Sequence, residues 1–196
     1  LAPIGIKQVS EPVEGFEFQQ ISARGTYLHQ SEIYLTGRTY EGNAGFHVVT
    51  PFSTSDGVIL INRGWVSEAY REPSTRPFSL TEGETLVKGI IRLPGRKGYF
   101  VPENDPENGF WFTLVPSQIN DYMGVRAPAV ASYYADALRT SDVVTLPIGA
   151  KTELNLRNAH LSYAVTWYGI ALALIGVYAV FHYQAGRLRF GFASRE

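Results

Sequence analysis

The side chains in this sequence with the widest chemical range are four histidines, His29, His47, His160 and His182. An imidazole titrates near neutral pH and is a common metal ligand, so each is a candidate acid–base group or ligand. Their spacing matches neither HxxxH nor HExxH, so no two neighbouring histidines are spaced to chelate a metal. The absence of Cys excludes disulfides and thiolate metal sites, and the single Met argues against a Cu(I) carrier.

Common catalytic motifs are missing from the sequence, which has no GxSxG, GxxxxGK[ST] or GxGxxG run. The remaining nucleophile is a Ser or Thr close to His29 or His47, and sequence alone does not bring such groups together. We therefore expect a protein that is not an enzyme. An extracytoplasmic membrane-bound hydrolase is the alternative, and it requires a His–Ser pair within hydrogen-bond reach.

One histidine lies on a helix face with other groups that suit a ligand. Arg157, His160, Tyr163 and Trp167 recur at steps of three or four residues, so a helix presents them on one side. His160 is then either a cofactor ligand or an interfacial side chain with no ligand. His182 follows 22 positions later, about 33 Å along a helix, so the two histidines cannot bind one metal from this helix.

The helix that carries His160 has the composition of a membrane span. Residues 158–186 contain no Lys, Arg, Asp or Glu, and 164–181 are almost entirely apolar. A bilayer core of about 30 Å requires roughly 20 such residues. Aromatic belts at both ends favour a transmembrane helix over a buried helix of a soluble protein, and they comprise Tyr163, Trp167, Tyr168, Tyr178 and Tyr183.

Charges on either side of the span predict its orientation. The tail 187–196 carries three Arg against one Glu, whereas only Lys151 and Arg157 are basic in the fifteen residues before the helix. Positive charge favours the cytoplasmic side. We therefore expect a cytoplasmic basic tail, or a matrix-facing one, and a large domain on the other side of the membrane.

Residues 1–157 predict a mainly β extramembrane domain, either an antiparallel sheet or a small barrel. Runs rich in Val, Ile, Tyr, Phe and Thr alternate with Gly and Pro. A hairpin with a four- or five-residue loop is expected at 46–66, a long loop at 67–80, and a short helix at 117–123 that ends at Gly124. The net charge of −1 gives no reason to expect nucleic acid. The predicted strands are 17–27, 32–36, 46–52, 58–66, 85–93, 110–115 and 143–146.

Two runs in this domain allow a structural and a functional interpretation. They are Asn62-Arg63-Gly64-Trp65 and Pro102-Glu103-Asn104-Asp105-Pro106, the second followed by Trp111. On the structural interpretation, Gly64 permits close backbone approach, the tryptophans are core residues and Asn-Asp-Pro is an Asx-type turn. On the functional one, both runs form a binding surface.

Five motifs in order make the sequence similar to the Surfeit locus protein 1 family, which assists assembly of cytochrome c oxidase. The resemblance extends over nearly the whole chain and ends in the membrane helix. The motifs are Gly45-Phe46-His47-Val48-Val49-Thr50-Pro51, Asn62-Arg63-Gly64-Trp65-Val66, Pro102-Glu103-Asn104-Asp105-Pro106, Trp111-Phe112 and the twelve residues 157–168, RNAHLSYAVTWY.

The resemblance implies two membrane helices that flank a domain on the periplasmic or intermembrane-space side. The first helix would precede Leu1, because this chain does not begin with Met. The resemblance also implies heme a binding, with His160 as the proposed ligand. Our own addition is that Tyr163 and Trp167 pack on the porphyrin and that Arg157 pairs with a propionate.

Two functional interpretations stand beside the hydrolase. In the first, the protein is an assembly factor of a bacterial inner membrane, or of the mitochondrial one. It handles heme a next to the heme-bearing catalytic subunit. In the second, the protein binds oxidase subunits and never contacts heme. Both interpretations anchor the protein in the lipid bilayer, and both assign partner contacts to Asn62, Arg63, Trp65, Asn104 and Asp105.

Overall fold

Six strands of the N-terminal part form a sheet that closes on itself. The computed structural model describes residues 3–95, 98–124, 132–139, 145–150 and 160–187. The strand order is β1-β5-β6-β4-β3-β2, and β1 also pairs with β3, so five strands complete a ring to which β2 adds as a sixth. All pairings are antiparallel except β4 with β6. The strands are β1 Gln20–Tyr27, β2 Ile33–Tyr40, β3 Asn43–Thr54, β4 Gly57–Ser67, β5 Thr85–Arg92 and β6 Tyr134–Ala137.

The ring closes because β3 is long enough to serve two neighbours on the same edge. Its first part pairs with β2, and its last residues pair with the end of β1, where Gly25 lies opposite Thr54. A side chain at Gly25 would collide with the backbone carbonyl of Ser53. The sequence therefore uses glycine where two strands cross closely. The expected antiparallel-rich sheet or small barrel is confirmed.

Strand alternation divides the apolar side chains into two cores. Ile59 and Ile61 of β4 face the ring interior, where Phe52 and Ile91 meet them. Leu60, between them in sequence, faces the other side and packs with Trp111 and residues of β2 and α1 (Pro116–Met123). Successive strand residues point to opposite faces, and each fully buried Ile or Leu stabilises the fold by about 1.5–3 kcal/mol. Strand β4 therefore joins both cores.

Several predicted elements match the structure. The hairpin of β3 and β4 forms as expected, although both strands extend further than predicted and leave only Ser55 and Asp56 in the loop. Helix α1 spans Pro116–Met123, and Gly124 follows it with a left-handed φ of 57°. The segment predicted as a long loop contains short 3₁₀ turns at Glu68–Tyr70, Pro73–Thr75 and Pro77–Ser79.

One predicted strand was wrong, and a second is not seen in its described half. The predicted strand at 110–115 makes only isolated bridges, from Phe110 to Asp105 and from Trp111 to Leu35. The side-chain oxygen of Asn104 instead accepts hydrogen bonds from the backbone N–H groups of Phe112 and Thr113. Strand β6 was not predicted at all. Of the predicted strand 143–146, residues 143 and 144 lie outside the described residues, and 145 and 146 are not in a strand.

The C-terminal part is described as one helix, α2, from His160 to Gln184. The chain divides into two compact units, Leu1–Thr152 and Glu153–Glu196, and α2 belongs to the second. Its segment Tyr163–Gln184 is 22 residues long with a mean hydropathy of 1.9, and none of it is buried. At 1.5 Å per residue this is about 33 Å, enough to cross a bilayer core. A C-terminal helix that could span a membrane is therefore present.

Gly64 provides a test of the fold. Its φ is +113°, and a side chain there would collide with the backbone of Ile148 and Gly149. We expect Gly64→Ala to lower the free energy of unfolding by about 3 kcal/mol, from strain and displacement together. Gly83→Ala is the control, since its φ is +74° and no atom lies within 4 Å; it should cost about 1 kcal/mol. Equal losses of unfolding free energy in the two variants, measured by urea unfolding, would show that the close approach of Gly64 to Ile148 and Gly149 does not matter for stability.

Candidate functional site

Arg63, predicted as a partner contact, faces the same side of β4 as the interior residues Ile59 and Ile61. Its side chain is 8% exposed and meets the carboxylate of Glu32, with 3.0 Å between Arg63 Nη1 and Glu32 Oε1. Its guanidinium carbon also lies 4.7 Å from the centre of the Tyr27 ring. The guanidinium is therefore engaged inside the domain, and its role in binding a partner stays a prediction.

Glu32 is the centre of a buried polar network. Besides Arg63, its carboxylate contacts Arg76 at 2.5 Å, Thr50 Oγ1 at 3.1 Å and His29 Nδ1 at 3.2 Å. Arg76 is fully buried, and it donates to Ser79 Oγ and to the Tyr70 carbonyl, each at 3.0 Å. Arg63 donates to the carbonyl of Ser79. The network thereby ties the 67–80 segment to the start of β2 and to β4.

The charges of this network do not balance in pairs. Burial acts to raise the pKa of Glu32, but the hydrogen bond and charge of Arg76, with His29 and Arg63, hold the pKa below its ordinary value. Burial lowers the pKa of Arg63. Two guanidinium groups thus share one carboxylate, and removing that carboxylate would leave buried charge without compensation.

The hydrolase interpretation finds no support at these histidines. The ring nitrogens of His29 contact Glu32 and the carbonyl of Thr81. Within the described residues, no Ser or Thr hydroxyl is hydrogen-bonded to His29 or to His47. The required His–Ser pair is therefore not formed there.

A second polar group lies on the opposite face of the same strand. Asn62 of β4 lies across from Asp136 of β6, and its Nδ2 donates to Asp136 Oδ1 at 2.8 Å. The same amide nitrogen lies 3.3 Å from Nδ1 of His47 on β3, and Asn62 Oδ1 accepts from the N–H of Gly64. We call His47, Asn62 and Asp136 the polar trio.

These contacts define the proton positions in the polar trio. Because Asn62 donates to a carboxylate and accepts from a backbone N–H, its amide orientation is determined, and its Nδ2 faces His47 as a donor. The Nδ1 of His47 is then the acceptor, and Nε2 carries the proton. Burial, aided by the charge of Arg38, lowers the pKa of His47 to about 4. At neutral pH this histidine is uncharged and presents an Nε2–H donor.

Two cavities lie against the polar trio. One has a volume of about 520 Å³ and is also lined by Arg38, Phe100 and Phe112. The other has a volume of about 260 Å³ and is also lined by Trp65, Arg139 and Ile148. Concave surfaces with a few convergent polar groups are the usual setting of a ligand site. These cavities form the candidate functional site of the β domain.

The remaining residues predicted as partner contacts are largely built into the fold. Trp65 is 8% exposed and packs against Tyr40, with ring centres 5.5 Å apart. Asn104 bonds to backbone groups of Phe112 and Thr113. Asp105 accepts from the backbone N–H and the side-chain amide of Asn108, three residues on, so its carboxylate stabilises the local turn. The structural interpretation of both runs is thus supported, and contact with a partner stays a prediction.

The helix residues predicted to hold a cofactor are placed only in part. His160 is the first residue of α2, and its side chain lies outside the described structure, as does Arg157. Tyr163 and Trp167 are 66% and 68% exposed on the helix, and the positions 160, 163 and 167 share one face. Their role as a cofactor site stays a prediction.

Sequence reasoning missed Glu32, Arg76 and Asp136. Arg63 in an otherwise apolar strand was a signal of a buried counter-charge, because a strand arginine that faces a core needs a carboxylate. Nothing in the sequence identified which of 18 acidic residues supplied it. The polar trio joins strands that are far apart in sequence, so only strand order brings its members together.

The fold and the helix together define a class: a β-ring domain followed by an apolar helix that could anchor it in a membrane. The SURF1 family profile matches residues 2–172. The chain is 36% identical to Surfeit locus protein 1 of Homo sapiens over 184 residues, covering 84% of this chain and 59% of that protein. It is 34% identical to Surfeit locus protein 1 of Xenopus tropicalis over 188 residues, covering 87% and 60%.

The match with a third relative covers a larger share of that protein. Surfeit locus protein 1 of Takifugu rubripes is 32% identical over 188 residues, which is 87% of this chain and 76% of that protein. The chain belongs to the SURF1 family, as the five sequence motifs predicted. It spans about 60% of the length of the frog and human relatives.

Replacing the carboxylate at the centre of the buried network tests its structural role. Glu32→Gln leaves Arg63 and Arg76 buried without a counter-charge, so we expect a loss of about 3–5 kcal/mol in the free energy of unfolding. The control is Glu84→Gln, because Glu84 is 65% exposed and lies 3.8 Å from Arg24; it should change stability by less than about 0.5 kcal/mol. Similar urea midpoints for both variants would contradict the assignment.

The lowered pKa of His47 predicts a pH dependence of stability. Between its ordinary 6.5 and about 4, the unfolded chain binds a proton that the folded domain does not, so stability falls as the pH falls. The full effect is on the order of 3 kcal/mol. We expect His47→Gln to reduce the difference in unfolding free energy between pH 7 and pH 4. An unchanged difference, measured by near-ultraviolet circular dichroism in urea, would refute the burial of a neutral imidazole.

Proposed function

We propose that this protein is a non-enzymatic assembly factor for cytochrome c oxidase that holds heme a near the heme-bearing catalytic subunit. Membership of the SURF1 family supports this proposal. The observation that carries the heme assignment is the position of His160 at the first residue of an apolar helix long enough to cross a membrane. In the proposed membrane setting, this position lies where the polar interface gives way to the apolar span.

The residues of this helix face fit a heme. The described residues contain no cluster of three or more His, Asp or Glu that could hold a metal ion, but a heme requires only an axial imidazole and apolar surface. His160 would be the axial ligand, with Tyr163 and Trp167 against the porphyrin and Arg157 near a propionate. When bound, heme a supplies the redox-active iron that the oxidase requires. The protein holds and orients the group.

The proposed setting is a bacterial inner membrane, with the β domain in the periplasm and the tail in the cytoplasm. The excess of Arg after the helix supports this orientation. The same charge distribution fits a mitochondrial inner membrane, with the domain in the intermembrane space and the tail in the matrix. In either membrane the proposed partner contacts lie on the β domain, at Asn62, Arg63, Trp65, Asn104 and Asp105.

A visible spectrum tests the proposal. Full-length protein would be coexpressed with the heme a pathway and purified in detergent. We expect the wild-type protein to show a heme a spectrum. In His160→Ala the heme a absorption should fall to the level measured for protein from cells without that pathway. His182→Ala is the matched control, because the same residue type lies at the other end of α2; it should retain heme.

The far-ultraviolet circular dichroism of all three proteins should coincide, which separates heme loss from unfolding. Equal heme in His160→Ala and wild type would eliminate the ligand assignment. A colourless wild-type protein that still copurifies with oxidase subunits would favour the heme-independent partner role.

A further inference from the structure

A turn that follows β5 holds two aromatic side chains in solvent. Tyr99 and Phe100 are 95% and 92% exposed, more than any other large hydrophobic residue in the described part of the chain. They occupy the two central positions of a turn that is closed by a hydrogen bond of 3.0 Å from the N–H of Val101 to the carbonyl of Gly98. Their rings pack edge to face, with centres 5.1 Å apart. We call Tyr99 and Phe100 the aromatic tip.

The β domain does not use the aromatic tip for its own packing. Neither residue of the tip belongs to one of the two hydrophobic cores. Phe100 stands at the rim of the larger cavity, but it is too exposed to fill that cavity. The central positions of turns usually carry polar residues, Gly or Pro. Two adjacent aromatic rings at these positions therefore indicate a surface outside the domain that covers them.

The small size of the aromatic tip favours a lipid surface over a protein partner. An aromatic side chain buries about 150–250 Å², so the two together supply roughly 300–500 Å². A stable protein–protein interface requires about 800 Å² from each partner. A bilayer sets no such minimum, because each apolar side chain that leaves water contributes in proportion to its own area. The tip is therefore large enough for lipid and too small for a stable protein interface.

The chemistry of the aromatic tip suits the boundary between lipid headgroups and acyl chains. The Tyr99 ring combines an apolar body with a hydroxyl, which is the type of side chain enriched at membrane interfaces. The hydrogen bond within the turn pairs one N–H with one carbonyl, which lowers the cost of bringing backbone near lipid. In the sequence, Arg96 and Lys97 stand directly before the turn. Basic residues close to aromatic ones are typical of segments that lie at lipid phosphates.

We propose that the aromatic tip inserts into the interface of the bilayer that α2 crosses, which gives the β domain a second membrane contact. Two aromatic side chains bind a membrane too weakly to hold a free domain. The β domain is covalently linked to α2, so the second contact is intramolecular and gains from a high effective concentration. The contact would restrict rotation of the domain above the membrane. This inference rests on the membrane setting of the proposed function and is independent of heme binding.

The absence of Cys from the chain makes a direct test possible, because single nitroxide labels can be attached without removing a native thiol. Full-length protein with Tyr99→Cys or Phe100→Cys would be labelled and placed in phosphatidylcholine nanodiscs. Power saturation in electron paramagnetic resonance compares how well oxygen, which concentrates in lipid, and a water-soluble nickel chelate reach the label. Leu174→Cys on α2 provides the lipid control. Phe78→Cys provides the water control, since Phe78 is 67% exposed in a 3₁₀ turn of the β domain.

The ratio of oxygen accessibility to nickel accessibility is the expected readout. We expect this ratio at positions 99 and 100 to exceed the ratio at position 78 by at least about threefold, because the labels at the tip lie at the lipid interface. The ratio at position 174, within the apolar span, should be the highest of the four. With the label at position 99, adding Phe100→Ser should lower the ratio at least about twofold, because the tip loses its second apolar side chain. Adding Phe78→Ser instead should leave the ratio unchanged.

Three outcomes would overturn the inference, and they differ in what else they affect. Ratios at positions 99 and 100 equal to the ratio at 78, with the label at 174 in lipid, would overturn the membrane contact and leave the anchor intact. Labels at the tip that neither reagent reaches would show a contact with protein instead. A label at 174 that the nickel chelate reaches as readily as the label at 78 would overturn the membrane setting as well. The heme spectrum of His160→Ala is a separate measurement and bears on none of these results.

Discussion

The buried carboxylate of Glu32 is the interaction on which the β domain depends. It faces Arg63 from β4 and Arg76 from the 67–80 segment, and all three side chains are almost completely buried. Taking such charges out of water costs several kcal/mol each, so the arrangement exists only because every partner is present. It attaches an irregular segment with few apolar residues to the ring of strands.

The same constraint determines what the other face of β4 presents. Arg63 faces inward to Glu32, so the alternation of the strand turns its neighbour Asn62 outward. There Asn62 meets His47 and Asp136 from the two flanking strands. Gly64 then interrupts the alternation with a positive φ and brings β4 against Ile148. One strand thus holds the domain together on one face and forms two cavity walls on the other.

The helix follows a different physical rule. It belongs to a second unit, and its span is apolar on every face, as a helix that could cross a bilayer must be. Family membership connects this helix with the β domain in one protein. The proposed division of labour is heme handling at the membrane boundary and partner contacts on the β domain.

The sequence by itself determined the elements whose signals are local. The apolar span, the β3–β4 hairpin, helix α1 and the family motifs were all predicted, because composition, turn residues and caps act over a few positions. It did not determine the 110–115 segment, where the side chain of Asn104 competes for the backbone and prevents a strand.

Only the tertiary structure decided which polar residues meet. Glu32 and Arg76 are 44 positions apart, and Asn62 and Asp136 are 74 apart. The first contact depends on the pairing of β3 with both β2 and β4, and the second on the parallel pairing of β4 with β6. The sequence around a charged group or an amide does not show which distant residue it contacts, because strand pairing between remote segments is a property of the whole chain.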